Sequence, residues 1–178
     1  MKKDKFILIF DTNIFLLGID FNLIKGTIYT TPGVIEEIKV AKYAEKNRTI
    51  MQRIDVARER KKLIVRSPSK NILNQVEETS KMTGDRHSIS MTDKEVISLA
   101  LELMEAKKER VIVYTNDYSM ENICAELGLE FSPVGKKGIT EKIIWEIYCP
   151  FCRKKSPSTQ LDTVCERCGQ KMIRRKQK

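Results

Sequence analysis

Two short apolar runs, each ending on a run of polar residues with a carboxylate, constrain this chain more than anything else in it. The first, Phe6-Ile7-Leu8-Ile9-Phe10, stops at Asp11; the second, Val111-Ile112-Val113-Tyr114, stops at Thr115-Asn116-Asp117. Runs of this length are short for a helix and lack the alternation of a half-exposed strand. Both therefore read as strands buried on two faces, as in a parallel sheet. Each leads into a helix, one through residues 14–17 and one from about Met120 to Leu127, where Gly128 stops it. In open α/β sheets ligands bind beyond the carboxyl ends of the strands, which places Asp11 and Asp117 for chemistry. The competing reading makes such an aspartate only a helix cap.

The chain between these runs keeps the same alternation. Residues 27–31 read as a strand that Pro32-Gly33 turns into a helix from about Val34. On that helix Val34, Ile38 and Ala41 form one stripe, which Glu37 flanks while Glu36 points away. A basic stretch over residues 39–66 carries 10 Lys/Arg against 3 Asp/Glu, reads as helical to about Arg60, and ends in a short strand at Leu63-Ile64-Val65. Another helix is expected over 67–78. Residues 81–90 show little periodicity; they hold the single histidine, His87, to which no role is assigned. Thr92 and Glu95 stand at capping-box spacing ahead of a strong helix whose buried stripe is Val96, Ala100 and Leu103. Asp93 lies on that apolar face, where a carboxylate is costly without a partner or a metal. Residues 129–131 can form a last strand. Strands alternating with helices predict an α/β fold, a parallel sheet sandwiched by helices.

The end of the chain differs in kind. Residues 1–135 carry 21 Lys/Arg and 20 Asp/Glu, whereas residues 136–178 carry 12 and 4, so nearly all of the net charge of +9 lies in the last quarter. That is the electrostatic footprint of a polyanion binder, with a solubilising tail as the alternative. The same segment holds two CxxC pairs, Cys149/Cys152 and Cys165/Cys168, twelve residues apart. Thiolates so spaced complete one closed, tetrahedral and structural Zn²⁺ site, a small C-terminal four-cysteine zinc ribbon. The fifth cysteine, Cys124, is expected in the core. No apolar run reaches the roughly 20 residues of a membrane span, and Met1-Lys2-Lys3-Asp4 shows no cleavable leader pattern. The expected location is therefore cytoplasmic, where disulfides are rare. The domains read as an α/β unit over 1–135, a linker over 136–144 and the ribbon over 145–178.

If the two buried strands are neighbours, Asp11, Glu37, Asp93 and Asp117 meet at one end of the sheet. Like charges that close cannot all ionise unless cations neutralise them, and Mg²⁺ or Mn²⁺ suit oxygen ligands. Such a cluster fits metal-assisted phosphodiester hydrolysis. A haloacid-dehalogenase-type phosphatase also begins with a strand ending in Asp, but needs a second Asp where this chain has Asn13.

The order Asp11-Thr12-Asn13, Glu37 in Val-Ile-Glu-Glu-Ile, Asp93 before an Ala/Leu-rich helix, and Thr115-Asn116-Asp117 resembles the PIN-domain nucleases over about residues 1–134. A PIN-like sheet followed by a four-cysteine ribbon is similar to the compact archaeal form of the Nin-one-binding-protein family. The resemblance implies RNA cleavage with Mg²⁺ or Mn²⁺ held by Asp11, Glu37, Asp93 and Asp117, with Thr12, Asn13, Thr115 and Asn116 as polar supports. The position next to the last Asp, acidic in some members, is Asn116 here. The resemblance also implies precursor small-subunit rRNA, cut at its 3′ end, as substrate, and the nascent small ribosomal subunit as partner. Lys154, Lys155, Arg167, Lys171, Arg174 and Arg175 are the candidate phosphate contacts, with Trp145, Tyr148 and Phe151 free to pack or to stack on bases. The alternatives are a toxin-like or mRNA-decay PIN ribonuclease and a catalytically inactive ribosome-assembly scaffold.

Overall fold

The computed structural model describes residues 6–40, 44–83, 88–107, 109–135, 137–138, 145–156 and 163–176. His87 and most of the expected linker, residues 136 and 139–144, lie outside them. Five parallel strands form the main sheet: β1 (Phe6–Phe10), β2 (Thr27–Thr30), β3 (Leu63–Val65), β4 (Arg110–Tyr114) and β5 (Glu130–Ser132). Their order is β3-β2-β1-β4-β5. The chain steps outward from β1 in one direction and, after β3, resumes on the other side at β4. β1 and β4 thus flank the point where strand order reverses, the place where α/β sheets leave a crevice. Their register sets Phe10 beside Tyr114, so the residues that follow, Asp11 and Thr115, emerge side by side.

The apolar runs behave as buried strands should. Ile7, Leu8, Ile9 and Phe10 are all buried, as are Ile28, Val111 and Val113, and they share one core with Phe15, Phe21, Ile54, Leu99 and Leu103. Helices α1 (Thr12–Leu16), α2 (Pro32–Lys39), α3 (Ala44–Glu59), α4 (Lys70–Thr83), α5 (Met91–Lys107) and α6 (Tyr118–Glu126) flank the sheet. Two expected helices have different bounds. The one expected over 67–78 begins at Lys70 and continues to Thr83, and the basic stretch is not continuous with α2, which ends at Val40. Cys124 is fully buried, and burial, followed by the charge of Glu121, pushes its thiol up.

A second, antiparallel sheet in the order β7-β6-β8 uses β6 (Trp145–Tyr148), β7 (Lys155–Ser156) and β8 (Ile173–Lys176). Its own small core is Ile147, Cys149, Cys165 and Met172. Among the described residues no helix is long and apolar enough to cross a membrane.

Candidate active site and zinc centre

The four expected carboxylates come from four different parts of the fold and lie near enough that Asp93 acts on Asp11 and that Asp117 and Glu37 act on Asp93. Asp11 follows β1, Glu37 sits in α2, Asp93 in the first turn of α5, and Asp117 precedes α6. Each is held by a short polar contact. Asp11 is 1% exposed; its Oδ1 accepts the Thr12 backbone N–H at 2.5 Å, and its Oδ2 accepts the Thr115 hydroxyl at 3.0 Å and the Asn13 amide at 3.4 Å. The Thr12 hydroxyl donates to Glu37 Oε2 at 2.5 Å, which ties α1 to α2. Asp117 accepts the Ser119 N–H at 2.7 Å, and its own N–H donates to Thr115 Oγ1 at 3.1 Å. Asp11 and Asp117 are therefore helix caps, of α1 and α6. Glu36 behaves as its wheel position predicts, pairing with Lys39 at the surface at 2.8 Å.

Mutual repulsion is visible in the acids themselves. Burial, and then the charge of Asp93, push the Asp11 carboxyl up to about 6, against the opposing hydrogen bonds from Thr115, Thr12 and Asn13. Burial raises Asp93 as well, and Asp117 and Glu37 add to the rise while the Ser90 hydrogen bonds oppose it. Among the described residues no lysine or arginine forms an ion pair with any of the four. Neighbouring carboxylates that pair with no lysine or arginine among the described residues are a donor set suited to a hard divalent ion. The four oxygens are not drawn onto one point as the thiolates described below are.

Several supports were not visible in the sequence. The capping box that opens α5 is Ser90/Asp93, not Thr92/Glu95: the Asp93 N–H donates to Ser90 Oγ at 3.1 Å, and the Ser90 N–H donates to Asp93 Oδ2 at 2.9 Å. Both pairs have the required spacing, and only packing decides between them. Glu95 instead lies against Gly33, where an added Cβ would stand 2.9 Å from Glu95 Oε2 and 3.2 Å from Thr92 Oγ1. Gly33 thus permits the close approach of α2 and α5, the helices that carry Glu37 and Asp93. The Thr30 hydroxyl bonds the Phe10 carbonyl at 2.8 Å, and buried Asn47 from α3 donates to the Ile38 carbonyl of α2 at 2.7 Å. The Asn116 amide bonds both the N–H and the carbonyl of Val134, at 2.9 and 3.0 Å, and so fastens the exit of β5.

The four cysteines of the small sheet converge tightly. Their sulfurs all lie within 4.8 Å of one another, with Cys149–Cys168 at 3.4 Å and Cys152–Cys165 at 3.5 Å. A disulfide would need about 2.05 Å, whereas sulfurs sharing one tetrahedral Zn²⁺ with bonds near 2.3 Å stand about 3.8 Å apart. The two knuckles are built alike. Cys149 and Cys165 donate their N–H to the carbonyls of Lys154 and Gln170, both at 2.8 Å, and the residues after the second cysteine of each pair, Arg153 and Gly169, take positive φ. The set fits zinc with no open coordination position.

The expected phosphate contacts are not equivalent. Lys154 pairs with Glu166 at 2.8 Å, and Lys155 and Arg175 both pair with Glu146, at 2.7 and 2.6 Å. Arg175 also stacks over Tyr148, and Arg174 over Trp145, at 4.1 and 4.4 Å. Arg167 and Lys171 are exposed on the zinc knuckle, and Phe151 is 79% exposed.

Residues 8–103 match the family model described as the PIN domain of ribonuclease. The chain is 32% identical to Endoribonuclease Nob1 of Pyrococcus abyssi over 96% of both chains. It is 30% identical to Endoribonuclease Nob1 of Methanocaldococcus jannaschii, over 94% of this chain and 76% of that one. It is also 32% identical to Ribonuclease VapC1 of Thermoplasma acidophilum, over 89% of this chain and 73% of the relative. That last match covers 159 residues and so runs past the end of the parallel sheet at Ser132. With its parallel sheet, its acids at the strand-order reversal and these relatives, the chain belongs to the PIN-domain ribonuclease family.

Proposed function

We propose that this PIN-domain ribonuclease is a metal-dependent endoribonuclease that cuts precursor small-subunit rRNA at its 3′ end, working on the nascent small ribosomal subunit. The observation that carries the catalytic part is the crowding of Asp11, Glu37, Asp93 and Asp117 without a compensating lysine or arginine among the described residues. These four would hold Mg²⁺ or Mn²⁺, which when bound supplies Lewis acidity toward water and the leaving oxygen. The chain's own share is positioning. Thr115 and Asn13 orient Asp11, Thr12 orients Glu37, Ser90 orients Asp93, and the start of α6 orients Asp117. The ribosomal substrate is favoured by the Nob1 relatives and by a ribbon whose excess charge suits a polyanion.

In this reading residues 1–135 are the nuclease, 136–144 the linker and 145–178 an RNA-gripping ribbon held by structural Zn²⁺, and the protein works in the cytoplasm. The VapC1 relative favours a second reading, a PIN ribonuclease acting on another RNA.

Cleavage of an RNA spanning the 3′ end of precursor small-subunit rRNA, in Mn²⁺, tests the proposal. Asp117→Asn is the informative variant, because an amide oxygen can still accept the Ser119 N–H. A discrete cut at the mature end, absent in the variant, is expected. Scattered cutting by the wild type would support the second reading, and equal cutting by both proteins would remove Asp117 from the site.

A further inference from the structure

Between the start of α6 and the ribbon lies an open cleft of about 470 Å³, walled on one side by Asn13, Asp117, Tyr118 and Ser119 and on the other by Trp145 and Arg174. It joins the acid cluster to the ribbon and is used by nothing described above. Strand pairing explains which ribbon residues reach it. In the β6–β8 ladder Ile147 stands beside Arg174 and Glu146 beside Arg175, and side chains alternate faces along each strand. Trp145 and Arg174 therefore share one face. Arg175, Tyr148 and Lys155, tied together through Glu146, share the other. Only one of the two arginine–aromatic pairs lines the cleft.

The geometry points to a pocket for one nucleotide of single-stranded RNA, next to the phosphate that is cut, formed jointly by the nuclease unit and the ribbon. The inference rests on reading the chain as a ribonuclease. Its base would stack on the Arg174 guanidinium plane, itself backed by Trp145, with half-exposed Tyr118 closing the opposite wall. Stacking uses the face of a guanidinium and leaves its N–H edge for in-plane partners, so other bonds made by Arg174 do not compete. Asn13 adds an amide able to meet a base edge. The chemistry favours a base over a small anion, because Asp117 forms part of the wall. The volume lies in the range that holds a small molecule, and a cleft of this size takes one splayed-out nucleotide and not a duplex. Unstacked bases against aromatic and arginine planes are how single-stranded RNA is usually read.

Trp145 is the only tryptophan, so its fluorescence reports this cleft without any need for cleavage. The experiment titrates the full, zinc-loaded chain, in buffer free of Mg²⁺ and Mn²⁺, with a single-stranded oligoribonucleotide and separately with a duplex of the same sequence. Anisotropy of a labelled strand measures binding in parallel. The expected result is saturable quenching by the single strand with the Kd that anisotropy gives, and no quenching by the duplex. Arg174→Gln and Tyr118→Ala should each raise that Kd about tenfold. Arg174→Lys, which keeps the charge and loses the plane, should resemble Arg174→Gln, and Tyr118→Phe should resemble the wild type.

Binding without quenching, no binding at all, or wild-type affinity in Arg174→Gln and Tyr118→Ala would overturn the pocket. The two readings fail separately. Quenching by a protein that cuts no RNA keeps the pocket and removes the nuclease assignment, and cutting without quenching does the reverse.

Discussion

Asp11 carries the largest burden of any single residue in the site. It is buried, accepts three hydrogen bonds, and still has its carboxyl pushed from 3.8 to about 6 by burial and by Asp93. A raised acid pKa means that the folded chain binds the proton more tightly than the unfolded chain does. The stability from this group is therefore full below about pH 4 and is lost as pH rises through about 6. In metal-free buffer the wild type, measured against Asp11→Asn, should lose at most about 3 kcal/mol across that window. Denaturant titrations at pH 4 and pH 7 check this, and a flat difference would mean that Asp11 is not strained. The neighbouring glutamates give a second residue-scale test. Glu37→Gln should lower cleavage at least 100-fold, as loss of a group holding a catalytic ion does, whereas Glu36→Gln only breaks an exposed pair with Lys39 worth less than about 1 kcal/mol. Both glutamates are exposed; what sets Glu37 apart in the structure is its hydrogen bond from Thr12, a contact between helices that the wheel does not contain.

At the scale of elements, what was legible depended on how local the signal is. β1 and β4 were readable because a short, unbroken apolar run has few other ways to be buried, and with them came Asp11 and Asp117. The gap between α2 and α3 was not readable. Residues 39–60 have helix-forming composition throughout, yet α2 ends at Lys39 and Asn47 of α3 donates to the Ile38 carbonyl, a contact that no local signal encodes. The cap of α5 was misread for a similar reason, since two pairs of residues fit one spacing rule and tertiary packing selected Ser90/Asp93. The consequence is testable. Ser90→Ala removes the acceptor for the Asp93 N–H and should cost about 1 kcal/mol of stability. It should also lower cleavage, because it loosens an acid of the site. Thr92→Ala, by thermal melts and the same assay, should do neither to that extent.

For the whole molecule, two sheets with separate cores meet at the cleft lined by Asp117 and Arg174. Cysteine spacing alone located the four-cysteine cluster, since two CxxC pairs admit few other uses. Which ribbon face turns toward the acids was not legible, because it depends on strand pairing and on the path between the units. It matters for RNA binding, because Lys154, Lys155 and Arg175 are already paired with carboxylates. Deleting residues 139–178 should weaken RNA binding and reduce the slope of log K against log salt, by less than a count of the removed cations would give, because ion-paired side chains contribute less. Filter binding over a salt series measures it. The central claim, that the acid after β1, those in α2 and α5 and the one that caps α6 make one divalent-metal site, is tested most directly by Mn²⁺ titration of the zinc-loaded chain. Calorimetry on the wild type, Asp11→Asn, Glu37→Gln, Asp93→Asn and Asp117→Asn should show Mn²⁺ binding weakened at least tenfold in every variant. Mn²⁺ affinity unchanged across all four variants would contradict the claim.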